Sequence, residues 1–289
     1  MTTALAFTDD LPSAELARLD AHFAARRVAI GGEAVVSVRE CGAGPVIVCL
    51  HGIGSGAASW LDTALLLQQD ARLIAWDAPG YGDSTPLASA APTAADYAAR
   101  LHALLDALEV ESCVLVGHSL GALTAASAAR QGSTLASRIA RLVLISPAAG
   151  YGSASRAEAR ARVRAERLDT LARLGIAGMA AQRSDRLLSE HASALSRQWV
   201  RWNMARLHEA GYQQAVELLC NADLLADLPP AMPVRVACGQ LDVVTPPAAC
   251  AEVAGRCGVA LELLPGAGHA SYVEQPALVA ALLRNAMVR

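Results

Sequence analysis

The sequence contains no lysine. All 24 of its basic residues are arginine, against 27 aspartates and glutamates, so the net charge is −3. Without lysine, the chain cannot form a Schiff base with a carbonyl substrate or use a lysine as a general base. A weakly acidic chain also lacks the excess of positive charge that binding to nucleic acid or to an anionic membrane surface requires. We therefore expect no nucleic-acid partner, and we attribute the arginine and the abundant alanine to biased genome composition.

The sequence also shows no pattern typical of disulfide-bonded cysteines, and no signal peptide or membrane-spanning run is apparent in it. No Cys-x-x-Cys occurs, and the number of cysteines is odd: Cys41, Cys49, Cys113, Cys220, Cys238, Cys250 and Cys257. This pattern favours a reducing compartment and predicts neither a disulfide framework nor a metal site. The N-terminus shows no basic segment followed by an apolar core, and no apolar run is long enough to span a bilayer. We expect a cytoplasmic protein that has no membrane partner and needs no cofactor.

Apolar sequence, in contrast, is plentiful. Hydrophobic residues make up 54% of the 289 residues, enough for a large core. Continuous apolar runs, separated in most cases by helical patterns, predict strands of a mostly parallel, twisted sheet covered by helices on both faces. The predicted strands are Val28–Ile30, Ala34–Val38, Val46–Leu50, Arg72–Trp76, Cys113–Val116, Arg141–Ile145, Val234–Cys238 and Val259–Leu264. The fold class is therefore α/β.

Two parts of the chain depart from this alternation. The apolar spacing from Ser13 to Arg27 predicts an amphipathic helix, so residues 1–27 are expected to form an N-terminal helical extension. Residues 150–228, between the sixth and seventh predicted strands, contain helical patterns only. The sheet is then built from residues 28–149 and 229–289. The helical stretch either covers the site or forms a separate domain that does not contact it.

The most informative motif is Gly117-His118-Ser119-Leu120-Gly121, between a predicted strand and a predicted helix. A strand that turns at once into a helix needs a tight bend, and glycines on either side remove the side chains that would clash there. Ser119 would be held at the tip of the bend, in front of the helix N-terminus, whose free N–H groups suit an oxyanion. We interpret Ser119 as a nucleophile; an ordinary strand-to-helix turn is the alternative.

A serine nucleophile needs a base, and the base needs an orienting carboxylate. Asp242 follows the predicted strand Val234–Cys238, and His269 follows the predicted strand Val259–Leu264. Because ligand sites lie beyond the carboxyl ends of parallel strands, both positions can meet Ser119. We predict Asp242 as the acid and His269 as the base, although a turn-capping role would also explain Asp242.

Together these motifs resemble those of the α/β-hydrolase family. The resemblance includes the serine elbow, Gly239-x-x-Asp242 followed by a proline, Gly266-x-Gly268-His269, the loop His51-Gly52-Ile53-Gly54, and the turn from Asp77 to Ser84. It implies an α/β-hydrolase fold with residues 150–228 as an all-helical cap inserted after the sixth strand. It also implies an oxyanion hole formed by the backbone N–H groups of Ile53 and Leu120.

The resemblance narrows the activity further. Haloalkane dehalogenases and epoxide hydrolases of this fold carry aspartate where this chain has Ser119, so both are disfavoured. The segment from His269 to Pro276 looks most like the enol-lactonase and small-esterase branch. We expect a serine hydrolase that cleaves a small carboxylic ester or lactone through an acyl-enzyme. A carbon–carbon bond hydrolase of meta-cleavage products and a hydrolase-fold small-molecule receptor remain as alternatives.

Candidate substrate contacts come from the helical stretch. Trp199 and Trp202 are three residues apart and share a helix face, so with Met204 they either line a substrate pocket or pack the stretch against the core. Arg197 and Arg201 either receive a substrate carboxylate or form a solvated face. The expected partner is a small-molecule substrate, and the sequence leaves the oligomeric state open, including a homo-oligomer.

Overall fold

A computed structural model describes residues 11–288, and its centre is one eight-stranded sheet. The strand order across the sheet is β1-β2-β4-β3-β5-β6-β7-β8. The strands are β1 (Ala25–Ala29), β2 (Val35–Cys41), β3 (Val46–Leu50), β4 (Arg72–Trp76), β5 (Cys113–His118), β6 (Ile139–Ile145), β7 (Val234–Gly239) and β8 (Leu261–Leu264). Strands β1 and β2 pair antiparallel with each other, and β2 pairs antiparallel with β4, whereas all other neighbours are parallel. The predicted mostly parallel sheet is confirmed.

Helices cover both faces of this sheet. They are α1 (Ser13–His22), α2 (Leu61–Leu67), α3 (Ala94–Ala107), α4 (Gly121–Ala129), α5 (Ala157–Arg183), α6 (Ala194–Ala205), α7 (Glu209–Asn221), α8 (Pro247–Arg256), α9 (Ser271–Glu274) and α10 (Pro276–Met287). Alternate residues of β3 enter different apolar clusters. Val48 packs in a cluster that contains side chains of α3 and α4, whereas Ile47 packs in a cluster with those of α2 and α10. Burial on both faces explains why β3 reads as a continuous apolar run.

The N-terminal helix is shorter than the sequence predicts. It ends at His22 rather than at Arg27, and Ala25 already pairs with Arg39 of β2. Arg26 forms an ion pair with Glu40 at 2.7 Å, which ties this edge strand to its neighbour. The ladder of hydrogen bonds to β2 overrides the local helical spacing there. Residues 1–10 of the predicted extension lie outside the described residues.

Helices α5, α6 and α7 lie between β6 and β7, and we call residues 150–228 the helical insertion. Its two ends meet in an isolated antiparallel bridge between Gly150 and Asp223. Helix α5 kinks at Gly175, whose φ of 61° and ψ of −176° are accessible essentially to glycine alone. The chain turns back there, so that Arg183 pairs with Glu166 at 3.1 Å. Across residues 11–288, no helix is both long and apolar enough to cross a membrane.

Candidate active site

Ser119 lies in the turn between β5 and α4, and its φ of 51° is in the left-handed region. The flanking glycines are required for steric reasons. A Cβ on Gly117 would lie 2.7 Å from the Ala122 Cα, and one on Gly121 would lie 2.4 Å from the Leu50 carbonyl oxygen. The Ser119 N–H donates to the Ile145 carbonyl at 3.1 Å, which ties the turn to β6. The glycines thus let β3, β5 and α4 meet closely enough to hold Ser119 at the tip of the turn.

Asp242 and His269 form a buried, directed pair. Nδ1 of His269 lies 2.8 Å from Oδ2 of Asp242, and both residues are less than 5% exposed. The other carboxylate oxygen, Oδ1, accepts the N–H groups of Val244 at 2.7 Å and Thr245 at 3.0 Å. These donors fix the plane of the carboxylate, so that Oδ2 is the oxygen directed at the imidazole. Nδ1 then carries the proton of the neutral ring and Nε2 is left as the acceptor.

The environment of Asp242 keeps it ionised. Burial by itself raises the pKa of this carboxyl, but the hydrogen bond and charge of His269 and the Thr245 backbone N–H outweigh burial and lower the pKa to about 2. At neutral pH the group is therefore a carboxylate, which can stabilise a positive charge on His269. The imidazole of His269 has its Nδ1 bonded to a carboxylate and its Nε2 unprotonated, so it is suited to accept a proton from a hydroxyl.

Ser119 and His269 line the same cavity, which has a volume of about 400 Å³. Among residues 11–288, no hydrogen bond joins the Ser119 hydroxyl to another protein group. Such hydrogen bonds often form only when substrate is bound. A cavity of this size accommodates a small organic molecule. Ser119 and His269 therefore meet at one small cavity, and Asp242 is bonded to the histidine outside the cavity lining.

The two predicted oxyanion donors line this cavity beside Ser119. A Cβ on Gly52 would lie 3.1 Å from the Ser119 Cβ, so the loop that carries Ile53 passes directly over the serine. The Tyr81 hydroxyl donates to the Ile53 carbonyl at 2.9 Å and holds that peptide in place. Within the described part of the chain, neither the Ile53 nor the Leu120 N–H donates to another protein atom. Both amides are available to a negatively charged oxygen on a group attached to Ser119.

The profile of the alpha/beta hydrolase family matches residues 47–282, which include Ser119, Asp242 and His269. The chain belongs to the alpha/beta hydrolase family. The protein named "Putative carbamate hydrolase RutD" from Shigella flexneri is 27% identical over 256 residues, which cover 84% of this chain and 91% of the relative. The expected superfamily and α/β-hydrolase fold are thereby confirmed.

Solved structures of this fold are similar over almost the whole hydrolase. The enol-lactonase from Burkholderia xenovorans LB400 has a TM-score of 0.77 at 22% identity and covers 91% of this chain and 100% of its own. A thermophilic esterase from Thermogutta terrifontis has a TM-score of 0.74 at 23% identity, covering 90% of this chain and 97% of its own. At these identities the likeness shows the fold alone.

Of the two alternatives for Trp199 and Trp202 in this alpha/beta hydrolase, the structure agrees with packing against the core, since neither lines the cavity, whereas Met204 does. Trp199 donates from its indole nitrogen to Glu15 of α1 at 3.2 Å, and its ring packs edge-on against Trp202. Helix α6 therefore turns both indoles towards the sheet and α1, and it presents Met204 to the cavity, together with Val200. Arg197 also lies outside the cavity lining and pairs with Asp185 at 3.5 Å.

His118 is a site residue that sequence reasoning missed. Its Nε2 lies 2.9 Å from the His269 carbonyl oxygen, so the ring N–H donates a hydrogen bond there. This bond ties the loop that carries His269 to the turn that carries Ser119. Burial, followed by the charge of nearby His269, lowers the pKa of His118 to about 3. The ring therefore stays neutral throughout the neutral pH range, as the hydrogen bond and the burial require.

The burial of neutral His118 makes stability fall in acid. In the unfolded chain histidine has a pKa of about 6.5. Between that pKa and the folded pKa of about 3, the unfolded state therefore binds a proton that the folded state does not. Stability is complete above the unfolded pKa and falls as the pH drops, by about 1.4 kcal/mol per pH unit. His118→Gln keeps a hydrogen-bond donor but does not titrate. Between pH 7 and 5 we expect its free energy of unfolding to fall by about 2 kcal/mol less than that of the native protein.

Urea unfolding at the two pH values measures this difference. His191→Gln is the matched control, because the His191 side chain is 71% exposed and should leave the pH dependence unchanged. An acid-induced loss of equal size in His118→Gln and in the native protein would contradict the assignment of that loss to His118.

Glu274 is a second residue that sequence reasoning missed. One of its carboxylate oxygens accepts the Ser189 N–H at 2.9 Å and the Ser189 hydroxyl at 2.6 Å, and the other accepts the Gly268 N–H at 2.7 Å. The Ala270 N–H donates to the Leu187 carbonyl at 2.7 Å. The loop that carries His269 is therefore bonded to the helical insertion on both sides of the histidine.

In the described range 11–288, no group of three or more His, Cys, Asp or Glu side chains is placed to hold a metal ion.

Proposed function

We propose that this chain is a serine hydrolase that cleaves a small carboxylic ester or lactone through an acyl-enzyme, with Ser119, Asp242 and His269 as its triad. The observation that carries the proposal is that Ser119 and the buried Asp242–His269 pair meet at one cavity of about 400 Å³. The proposed substrate is a small molecule, and the reaction needs no cofactor. Membership of the family supports the class of reaction, and the geometry of the site supports the choice of residues.

In the first half of the reaction, Nε2 of His269 takes the proton from the Ser119 hydroxyl while Oγ bonds to the substrate carbonyl carbon. The carbonyl oxygen becomes an oxyanion that accepts the N–H groups of Ile53 and Leu120. The tetrahedral intermediate collapses, the bond to the leaving alkoxide breaks, and His269 returns its proton to that oxygen. Asp242 stays a carboxylate throughout and stabilises the imidazolium.

In the second half, water attacks the acyl-enzyme by the same route. His269 removes a proton from water, the hydroxide oxygen bonds to the acyl carbon, and Ser119 leaves with the proton that His269 returns. A carboxylic acid is released. We propose that residues 150–228 act as the cap over this reaction, since Met204 and Val200 of the insertion form part of the cavity wall.

Two alternatives use the same site. Carbon–carbon hydrolases of this fold typically place tryptophan after the base and have a Gly-Gly-Gly-Pro-Gly loop, whereas this chain has Ala270 and Gly52-Ile53-Gly54-Ser55-Gly56. A small-molecule receptor would retain its ligand without turnover.

The relative named as a carbamate hydrolase suggests a related acyl substrate, which the same two half-reactions would cleave at a carbonyl carbon.

The test is a comparison of kcat/KM for a short p-nitrophenyl ester, a lactone, an aryl carbamate and a vinylogous 1,5-diketone. We expect the ester or the lactone to be hydrolysed faster than the diketone. A diketone turned over ten times faster than both, about 1.4 kcal/mol in barrier, would favour carbon–carbon cleavage instead. Ligand retained stoichiometrically with no turnover of any substrate would favour the receptor.

A further inference from the structure

The charges that line the cavity are distributed unevenly. Four arginines, all from the helical insertion, face it: Arg156, Arg167, Arg183 and Arg186. The carboxylates in the lining are Glu166 and Glu252. Arg156, Arg167 and Arg183 are half-buried, whereas Arg186 is exposed at the edge of the cavity. A surplus of guanidinium groups around a cavity favours an anionic ligand.

Three of the acidic residues near these arginines form ion pairs, whereas Glu252 forms none within residues 11–288. Glu166 pairs with Arg183 at 3.1 Å. Asp185 pairs with Arg197, and Glu217 pairs with Arg164 at 2.6 Å, and neither of those two arginines lines the cavity. Three cavity arginines are thus left without a carboxylate partner in the described part of the chain.

Of these three arginines, two hydrogen-bond to neutral groups and the third has no hydrogen-bond partner among the described residues. Arg156 donates to the Gly150 carbonyl at 2.8 Å, and Arg167 donates to the Tyr212 hydroxyl at 3.3 Å. Within residues 11–288, Arg186 makes no hydrogen bond or ion pair. A guanidinium carries five N–H donors, so each of these side chains has donors to spare for a ligand.

Arg167 is connected to the site of the proposed reaction. Its partner Tyr212 follows Gly211, whose backbone packs against Gly80, since a Cβ on Gly80 would lie 2.5 Å from the Gly211 Cα. Tyr81, the next residue, holds the Ile53 carbonyl through its hydroxyl at 2.9 Å. A continuous series of contacts therefore links Arg167 to the loop that carries Ile53.

We infer that the substrate carries a carboxylate distant from the scissile bond, and that Arg167 and Arg186, assisted by Arg156, bind it. The inference rests on the proposed function, and it narrows the substrate to a half-ester or lactone of a short dicarboxylic acid. The planar guanidinium fork matches a carboxylate, and a pair of this kind discriminates by charge and by geometry. Ser119 then attacks one end of the acid while the arginines hold the other.

Matched esters test the inference. The mono-p-nitrophenyl esters of succinic, glutaric and adipic acids are compared with neutral isosteres in which an isopropyl group replaces the carboxylate. We expect the native enzyme to prefer the acid at one of these lengths by about ten- to hundred-fold in kcat/KM, the usual value of a charge-assisted pair. The double variant Arg167→Met/Arg186→Met should lose this preference and still hydrolyse the neutral ester.

Two further variants separate charge from structure. Arg167→Lys keeps the charge and should retain part of the preference, whereas Arg162→Met, on an exposed turn of the same helix and outside the cavity lining, should leave it unchanged. Neutral isosteres hydrolysed as fast as the acids at every length would overturn the inference. A preference that survives in the double variant would overturn the assignment to these arginines.

A binding experiment keeps this result separate from the failure of the proposed function. Calorimetry with Ser119→Ala measures the binding of glutarate, adipate and inorganic phosphate without any turnover. We expect one diacid to bind, and the double variant to weaken it by about tenfold or more. If no ester is hydrolysed but the diacid binds through these arginines, the ester-hydrolase proposal fails and the anion site stands. Tighter binding of phosphate than of either diacid, or no binding of a diacid at all, would overturn the carboxylate assignment.

Discussion

Ser119→Ala should reduce kcat by about 10⁵- to 10⁶-fold and abolish labelling by a fluorophosphonate. Removal of a serine nucleophile in comparable triads has an effect of about this size, and the remaining rate comes from the oxyanion hole and substrate binding. Stability should change little, because among the described residues the Ser119 hydroxyl makes no hydrogen bond that would be lost. Alanine is no worse than serine at a φ of 51°. Labelling with a fluorescent fluorophosphonate and urea unfolding of the same preparation measure the two effects.

Ser127→Ala is the matched control for the labelling. Ser127 lies on α4, the helix that follows the turn of Ser119, and it is buried and outside the cavity lining. Its substitution should leave labelling intact. Labelling of Ser119→Ala at the native rate would show that the nucleophile is another residue, and the proposed triad would then be wrong.

Asp242→Asn should lower kcat/KM by about 10³- to 10⁴-fold, as the loss of the triad carboxylate does elsewhere. The surroundings of Asp242 explain why an amide cannot replace it. The N–H groups of Val244 and Thr245 both point at the Oδ1 position, so an asparagine would place its carbonyl oxygen there. Its NH₂ group would then face Nδ1 of His269. The imidazole would have to carry its proton on Nε2, the atom that must accept the proton of Ser119.

The measurement is the kcat/KM of this variant with the best substrate of the panel. Asp223→Asn serves as the control, because Asp223 caps the short turn at Leu224–Ala226 and does not line the cavity. It should leave kcat/KM within a small factor of the native value. Near-normal activity in Asp242→Asn would move the role of the acid to another carboxylate, and a collapse in Asp223→Asn alone would identify which one.

The parts of this protein that could be predicted from sequence are those with a strong local signal. A parallel strand buried on both faces reads as an uninterrupted apolar run, so β3 and β4 have the bounds that the pattern predicts. The helical pattern that begins at Arg156 predicts a helix end at Leu174, and α5 kinks at the next residue, Gly175. Ser119, Asp242 and His269 were identified because each lies in a short, glycine-containing loop directly after a strand.

The remaining features depend on contacts between distant parts of the chain. His118 bonds a carbonyl 151 residues away, and Glu274 accepts from a serine 85 residues away, so no spacing in the sequence reveals either contact. Helical spacing places Trp199 and Trp202 on one face but does not say which neighbour covers that face. The strand pairing of Arg27 could not be read from a helical spacing that continues through it.

The hydrogen bonds between the loop that carries His269 and the helical insertion limit how the insertion could be exchanged for that of another protein. Residues 150–228 look like an exchangeable module, since they enter and leave the sheet at adjacent points joined by the Gly150–Asp223 bridge. Leu187 and Ser189, however, supply the acceptor for Ala270 and the donors for Glu274. A chimera that receives a foreign insertion must therefore bring equivalent groups with it. Otherwise the foreign insertion leaves the Ala270 N–H without its acceptor and one oxygen of the Glu274 carboxylate without its donors, and the loop that carries His269 loses its support.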